Sequence, residues 1–200
     1  MPVLIGIAGP SGSGKTALAK RLIHALPGTV SLLSLDSYYR ELSHLQLADR
    51  ERVNFDHPDS IDWDLFERHL ALLASGTDVE EPVYLFAEHN RAGRTIRVRA
   101  ADYVLAEGIL VLHREQVRRL LSLKVYVLTP DEVCYRRRLD RDVRERGRTP
   151  HSVEAQYAST VKPMAEQFVW PAREFADLVV SGQEPFDVSI ARVLDALRVG

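Results

Sequence analysis

A glycine-rich segment near the start of the chain has the residue types and spacing of a phosphate-binding loop. Residues 9–16 read Gly-Pro-Ser-Gly-Ser-Gly-Lys-Thr and match the pattern G-x-x-x-x-G-K-[ST]. Glycines let the backbone approach phosphate oxygens, and backbone N–H groups at a helix start attract anions. The lysine is expected to reach the β- and γ-phosphates of a nucleotide, and the threonine hydroxyl to ligate Mg²⁺. The predicted nucleotide-binding residues are Gly9, Ser11, Gly12, Ser13, Gly14, Lys15 and Thr16.

The sequence around this segment predicts the strand, loop and helix that the motif requires. A β-branched apolar run at 3–8 precedes it, and a helix-forming run at 15–26 follows and ends at Pro27-Gly28. Further apolar runs are typical of strands that helices bury on both faces, and they lie at 30–35, 103–106, 123–128 and 177–180.

Helices are predicted between these strands. Their predicted ranges are 61–75, 113–122, 131–146, 153–168 and 185–198. Pro163 should kink or split the fourth of them. Because strands and helices alternate, we predict an α/β fold, a three-layer α/β/α sandwich with a parallel sheet. Ligands of such sheets bind at the carboxyl ends of the strands.

One segment breaks this alternation. In 79–99, apolar residues at 83, 85, 96 and 98 alternate with polar ones on either side of Asn90-Arg91-Ala92-Gly93. Period-two alternation around a turn predicts a β-hairpin with its turn at 90–93. We expect this hairpin to be an insertion that projects beside the ligand site.

Composition limits the class of protein. With 200 residues and 46% apolar residues, the chain is expected to form one domain, 1–200, with a substantial core. A net charge of −2 argues against a nucleic-acid-binding surface. The single cysteine, Cys134, fits a reducing compartment. No apolar run has the length of a membrane span, and the N-terminus does not resemble a signal peptide, so we expect a cytoplasmic enzyme.

Two acidic residues end predicted strands at the edge where the phosphate-binding loop lies. Asp36 follows the second apolar run, and a carboxylate there could accept the proton of an attacking hydroxyl group. Glu107 ends the strand at 103–106 and could hold Mg²⁺ directly or through water. The structural alternatives are a turn-forming aspartate and a solvated strand end.

An arginine-rich helix at 131–148 could form a lid. Phosphoryl transfer needs cations near the transferred oxygens, and mobile arginines supply them while excluding water. The alternative is a solvated helix face, because three i,i+4 ion pairs are possible, namely Glu132–Arg136, Asp140–Arg144 and Asp142–Arg146. These pairs leave Arg138, Arg141 and Arg148 unexplained, and we favour a functional role for these three.

The hairpin carries Tyr84, Phe86 and His89, which could stack on a flat base and hydrogen-bond to its edge. Alternatively, the aromatic rings pack the hairpin onto the core. His57, in the segment Phe55-Asp56-His57-Pro58-Asp59, could position a ligand or shape a turn.

Together these motifs resemble the uridine kinase (uridine–cytidine kinase) family from Ile5 to about Val180. The segments that carry the resemblance, besides 9–16, are Asp36-Ser37-Tyr38-Tyr39-Arg40, Asn54-Phe55-Asp56-His57-Pro58-Asp59, Pro82-Val83-Tyr84, Glu107-Gly108-Ile109-Leu110, Arg141-Asp142, Glu145-Arg146-Gly147-Arg148, Gln156-Tyr157 and Val161-Lys162-Pro163. The resemblance implies transfer of the γ-phosphate of ATP or GTP to the 5′-hydroxyl of uridine or cytidine.

The resemblance also implies roles for individual residues. Asp36 would be the catalytic base, and Lys15, Arg138 and Arg141 would act on the phosphates. The substrate-binding residues would be Asp36, Tyr39, Asp56, Tyr84, Phe86, His89, Arg138, Arg148, Gln156 and Tyr157. Thr16 and Glu107 would hold Mg²⁺. Family members are commonly homotetramers, so a homo-oligomer is expected, with no nucleic-acid or membrane partner.

The chain departs from the usual family pattern at Leu85, Leu128, Pro130 and Cys134. Two other functions therefore stay open. One is a different P-loop small-molecule kinase, phosphoribulokinase-like or pantothenate-kinase-like. The other is a nucleotide-binding protein without catalytic activity.

Overall fold

A five-stranded parallel sheet organises the fold, for which the computed structural model describes residues 2–199. Its strand order is β2-β5-β1-β6-β7, and β3 pairs with β4 in a separate antiparallel sheet. The strands are β1 Val3–Ala8, β2 Val30–Ser34, β3 Val79–Leu85, β4 Asn90–Val98, β5 Tyr103–Glu107, β6 Leu123–Leu128 and β7 Leu178–Ser181. The predicted α/β fold with a parallel sheet is confirmed.

Helices cover both faces of this sheet. They are α1 Lys15–Ala25, α2 Leu47–Arg50, α3 Trp63–Ala74, α4 Glu115–Leu120, α5 Asp131–Arg146, α6 Pro150–Gln156, α7 Lys162–Met164 and α8 Phe186–Val199. Short 3₁₀ segments lie at Leu35–Tyr38, Pro58–Ser60 and Pro171–Phe175. Apart from the segment around Pro163 and the hairpin, the predicted strand and helix bounds agree with these to within one or two residues.

The core has two halves, one on each side of the sheet. On one side, buried Phe66 and Tyr126 belong to a cluster that α3 and the 3₁₀ segments cover. On the other side, Ile7, Leu22 and Val193 join β1, α1 and α8. Because burial of apolar surface drives folding, these two clusters hold the helices against the sheet in three layers.

Pro163 interrupts the helix that the apolar stripe predicts. It lies in α7, between π-helical turns at Tyr157–Val161 and Ala165–Val169. Proline lacks an N–H and its ring crowds the preceding turn, so the backbone hydrogen bonds change their spacing on both sides of it.

The hairpin forms, but its turn does not lie at 90–93 as the alternation predicts. Leu85 pairs with Asn90, so the chain reverses at 86–89, where His89 adopts a φ of 48°. The register then shifts between Tyr84 and Pro82, and Gly93, with a φ of 67°, lies in the longer β4 segment opposite this shift. Gly93 therefore lies in a β-bulge of β4 and not in the turn. The prediction of the turn position was wrong.

No helix within residues 2–199 is both long enough and apolar enough to cross a membrane.

Candidate active site

The phosphate-binding loop has the geometry that its glycines predict. Gly14 caps α1 with a φ of 101°, and Gly12 has a φ of 83°. A Cβ atom on Gly12 would lie 2.4 Å from the backbone oxygen of Cys134, so only glycine fits there. The loop therefore packs directly against the first turn of α5, and its amide groups surround the start of α1.

Two further side chains of the loop are buried. Lys15 is only 8% exposed. Ser13 is fully buried, and its Oγ lacks a hydrogen-bond partner within residues 2–199. Ser11 Oγ accepts a hydrogen bond from Arg138 Nη1 at 3.0 Å, which links the loop to the arginine-rich helix.

The carboxyl edge of the sheet brings Glu107 to the loop, as the strand order predicts. Thr16 Oγ1 donates to Glu107 Oε2 at 3.0 Å, and Ser34 Oγ donates to Glu107 Oε1 at 3.1 Å. Burial raises the pKa of Glu107, while the nearby Lys15 cation lowers it and Asp36 raises it further. Thr16 and Glu107 together offer hard oxygen ligands at the end of the loop.

Asp36 and Asp56 come from different segments of the chain and lie within electrostatic reach of each other. Asp36 lies in the 3₁₀ segment Leu35–Tyr38 that directly follows β2. Asp56 is 8% exposed, and burial raises its pKa, whereas the charges of Arg138 and Lys15 lower it. Asp36 also raises the pKa of Asp56, so the two carboxylates lie within electrostatic reach of each other and of both cations.

Aromatic rings form a wall beside these carboxylates. The Tyr39 ring lies 5.2 Å from that of Phe55 and 5.1 Å from that of Tyr84, centroid to centroid. His89 stacks on Phe55 with centroids 5.3 Å apart and planes at 20°. The Tyr84 hydroxyl group is buried and unpartnered within the described chain, which makes it available to a ligand.

The tip of the hairpin contacts the arginine-rich helix. Phe86 is 42% exposed, and the guanidinium of Arg146 lies 4.7 Å from its ring centroid. This cation–π contact joins the hairpin to the last turn of α5.

Asp142 is the centre of an arginine cluster. This carboxylate is completely buried, and four guanidinium groups surround it. The N–O distances are 3.5 Å to Arg138, 2.7 Å to Arg141, 3.5 Å to Arg146 and 3.8 Å to Arg148. The three predicted i,i+4 pairs do not account for Arg138, Arg141 and Arg148, but Asp142 pairs with all three, so each has a structural partner besides its predicted functional role.

Of the other two predicted ion pairs, one forms within the described residues and one does not. Asp140 and Arg144 form theirs at 2.8 Å, whereas Glu132–Arg136 is not among the ion pairs of residues 2–199. The solvated-face interpretation thus holds for the outer side of α5, while its inner side holds the Asp142 cluster.

Gln156 joins this cluster, whereas Tyr157 bonds to a residue outside it. Gln156 Oε1 accepts hydrogen bonds from Arg138 Nη2 at 3.0 Å and from Arg148 Nη1. The Tyr157 hydroxyl group donates to Asp131 at the start of α5. His57 shapes a turn, because its Nδ1 accepts the Asp59 N–H at 3.1 Å.

The four departures from the family pattern lie around the site. Leu85 ends β3, and Leu128 is 43% exposed at the end of β6. Pro130 precedes the first turn of α5. Cys134 is buried against the phosphate-binding loop, where burial raises its pKa to about 11. A thiol with that pKa stays protonated at neutral pH.

Sequence reasoning missed two contributors to this site. Ser34 was read only as part of a strand, although its hydroxyl group bonds to Glu107. The pairing analysis assigns Asp142 only to Arg146, although Asp142 also stands in the segment Arg141-Asp142 that carries the resemblance. The available signal was that Asp142 lies four residues from both Arg138 and Arg146, so it shares a helix face with both.

Replacing Asp142 with alanine is expected to destabilise the fold by about 3 kcal/mol or more, because removal of one partner from a buried ion cluster leaves uncompensated charge. Urea unfolding monitored by fluorescence measures this change. Asp140→Ala is the matched control, since its pair with Arg144 is exposed and worth about 0.5 kcal/mol or less. Equal losses in the two variants would contradict the role given to Asp142.

Asp56→Asn is expected to raise the free energy of unfolding at pH 7. Burial raises the pKa of Asp56, so its ionised form costs stability once the pH exceeds the ordinary range of an aspartate. Asparagine avoids this cost, and its advantage should shrink as the pH falls and Asp56 takes up a proton. Urea unfolding at pH 7 and pH 5 tests this. A variant less stable than the parent by the same amount at both pH values would refute it.

Comparisons with known proteins agree with this geometry. Residues 4–189 match the model of the phosphoribulokinase/uridine kinase family. A uridine kinase of Lactobacillus johnsonii is 43% identical over 199 residues, which cover 98% of this chain and 94% of that protein. A uridine kinase of Clostridium novyi is 39% identical over 201 residues, with 98% and 97% covered.

Solved structures share the fold at lower identity. A putative fructose transport system kinase from Silicibacter superposes with a TM-score of 0.71 at 19% identity, covering 90% of this chain and 89% of that one. A possible uridine kinase from Bacillus stearothermophilus gives 0.58 at 21% identity, with 89% and 88% covered. Since the match of the family model spans most of the sequence, this chain belongs to the phosphoribulokinase/uridine kinase family.

Proposed function

We propose that this protein is a uridine kinase, which transfers the γ-phosphate of ATP or GTP to the 5′-hydroxyl of uridine, cytidine or both. Relatives named uridine kinase, 39–43% identical over nearly the whole chain, support the proposal. The observation that carries it is that buried Asp56 lies within electrostatic reach of Asp36, Lys15 and Arg138, beside an aromatic wall. Such a site offers phosphate-binding groups, a base and a surface for a flat ring.

Asp36 is proposed to act as the general base. A carboxylate near the attacking hydroxyl group accepts its proton as the bond to phosphorus forms. The position of Asp36 supports this role, because its 3₁₀ segment directly follows β2 at the carboxyl edge of the sheet and packs against β3 of the hairpin.

The nucleoside is proposed to lie between Asp56 and the hairpin. Asp56 would accept hydrogen bonds from ribose hydroxyl groups, with Arg148 on the same side. The rings of Tyr39, Tyr84 and Phe86 would contact the base, and His89 would hydrogen-bond to its edge. The unpartnered Tyr84 hydroxyl supports this placement, since a buried donor without a partner favours a polar ligand. Gln156 and Tyr157 would contribute from the adjacent helices.

The phosphates are proposed to lie over the loop. Its backbone N–H groups and Lys15 would bind the transferred and leaving oxygens, and Arg138 and Arg141 would stabilise the charge that develops on them. Thr16 Oγ1 and Glu107 suit a hard cation that completes its shell with water and phosphate oxygens, so these two residues would hold Mg²⁺. When bound, Mg²⁺ would neutralise phosphate charge.

An acceptor series tests the proposed function. ADP release by the purified protein with Mg²⁺-ATP is measured with uridine, cytidine, adenosine, ribulose 5-phosphate, pantothenate and no acceptor. We expect release with uridine or cytidine and little without an acceptor. Release with ribulose 5-phosphate or pantothenate instead would assign a different small-molecule kinase. Stabilisation by ATP without release under any condition would indicate a nucleotide-binding protein.

Three broader predictions belong to this proposal. Residues 1–200 would form one kinase domain, in which 79–99 is an insertion at the nucleoside site and 131–148 a lid. The protein would be a homo-oligomer, a tetramer by resemblance to its family. It would work in the cytoplasm, where nucleosides and nucleoside triphosphates are its partners.

A further inference from the structure

A further carboxylate, that of Glu81, contacts the chain just before Asp36. Glu81 Oε1, on β3, accepts a hydrogen bond from the backbone N–H of Ser34 at 3.1 Å. Burial raises the pKa of Glu81, and hydrogen bonds from Ser34 and from the Ser37 side chain oppose this effect. Glu81 thus holds Ser34, the last residue of β2, which lies two residues before Asp36.

The position of β2 explains why Ser34 needs this partner. β2 is an edge strand of the five-stranded sheet, so one side of it faces no neighbouring strand. A backbone N–H on that side is costly to bury without an acceptor, and the Glu81 carboxylate supplies one to Ser34. The Ser34 hydroxyl group bonds to Glu107, so Ser34 lies between two carboxylates.

The adjacent glutamate, Glu80, points to the other side of β3 and makes no such contact with Ser34 within the described residues. Glu80 is exposed, and its Oε2 accepts from Thr95 Oγ1 across the hairpin at 2.8 Å. Glu81 points instead toward the 3₁₀ segment Leu35–Tyr38, against which β3 packs. Two adjacent glutamates on one strand therefore provide a test residue and a matched control.

We propose that Glu81 is a positioning residue for phosphoryl transfer. By holding Ser34 at the start of segment 34–37, it fixes Asp36 relative to Glu107 and the phosphate-binding loop. Tyr84 follows on the same strand. Glu81 therefore also connects the aromatic wall of the nucleoside site to the segment that carries Asp36. This inference rests on the proposed function, because it assigns to Glu81 an effect that acts through Asp36.

Substitutions at Glu81 separate hydrogen bonding from charge. Glu81→Leu removes the acceptor and should lower kcat by about 100-fold, the size of effect that a small misplacement of a catalytic group produces, with KM for ATP unchanged. Glu81→Gln keeps an oxygen for Ser34 and offers an N–H to Ser37, so kcat should stay within about threefold of the parent. Glu80→Leu should leave kcat unchanged.

Double variants with Asp36→Asn decide whether Glu81 acts through Asp36. If it does, Glu81→Leu has no further effect on the residual kcat of Asp36→Asn. A loss that multiplies with that of Asp36→Asn would overturn the proposal, and so would equal kcat values for Glu81→Leu and the parent. Ser37→Ala removes only one hydroxyl group from the turn. It should show a smaller loss with the same non-additivity, and it serves if Glu81→Leu does not fold.

Amide hydrogen exchange of residues 34–37 tests the contact without any turnover. We expect faster exchange in Glu81→Leu than in the parent, Glu81→Gln and Glu80→Leu. Equal protection in all four proteins would overturn the proposal. Absence of uridine- or cytidine-dependent ADP release by the parent would instead contradict the proposed function, and the exchange result would still show whether Glu81 holds the turn.

Discussion

Asp36→Asn is expected to lower kcat by about 10²–10⁴ while leaving the affinity for ATP nearly unchanged. The substitution keeps the size of the side chain but removes the lone pair that would take the proton of the 5′-hydroxyl group. The phosphate-binding loop does not depend on this carboxylate, since its geometry comes from its own glycines and from α5. Steady-state kinetics with uridine and ATP measure both quantities.

Asp49→Asn is the matched control for this loss. Asp49 lies in the short helix α2 and pairs only weakly with Arg52, at 3.7 Å on the exposed surface. The kcat of Asp49→Asn should equal that of the parent. If Asp36→Asn also retained the parent kcat, Asp36 would not be the base.

Lys15→Met is expected to lower kcat/KM for ATP by about 10²–10³, because it removes a cation directed at the transferred phosphate. Lys15 is buried in the loop and lowers the pKa values of Asp56 and Glu107. Its loss should therefore raise both pKa values, so that the acid limb of the pH–rate profile moves to higher pH.

Lys20→Met tests whether any lysine of α1 would have the same effect. Lys20 is exposed on the same helix, and its removal should change neither kcat/KM nor the pH profile. Unchanged ATP kinetics in Lys15→Met would contradict the placement of the phosphates over the loop.

Local motifs made much of the site predictable. The phosphate-binding loop could be predicted because Gly12 and Gly14 both adopt positive φ angles, and the backbone of Cys134 leaves no room for a side chain at Gly12. The meeting of Glu107 with Thr16 could be expected because parallel strands bring their carboxyl ends to one edge.

Other features depended on tertiary structure that alternation and spacing do not encode. Glycine is the ordinary residue for a tight turn, yet Gly93 lies within β4 and the non-glycine residue His89 takes the left-handed conformation of the turn. The stacking of Phe55 on His89 is also not predictable from local sequence, because Phe55 is distant from the hairpin along the chain.

The arginine cluster shows the same limit in another form. The i,i+4 spacing brings Arg138 and Arg146 to Asp142 but does not account for Arg148. In the structure, Gly147 adopts a φ of 64° and reverses the chain, and the Arg148 N–H then donates to the Asp142 backbone oxygen at 3.1 Å. That reversal brings Arg148 to the buried carboxylate, so one acidic residue organises four cations.

The central claim is that the 5′-hydroxyl of a pyrimidine nucleoside accepts the phosphate. The most direct test is ³¹P NMR of the product formed from Mg²⁺-ATP and uridine, with 5′-deoxyuridine as the matched acceptor that lacks only that hydroxyl group. We predict uridine 5′-monophosphate from the first and no phosphorylated nucleoside from the second. Inorganic phosphate as the sole product, or equal phosphorylation of both acceptors, would contradict the claim.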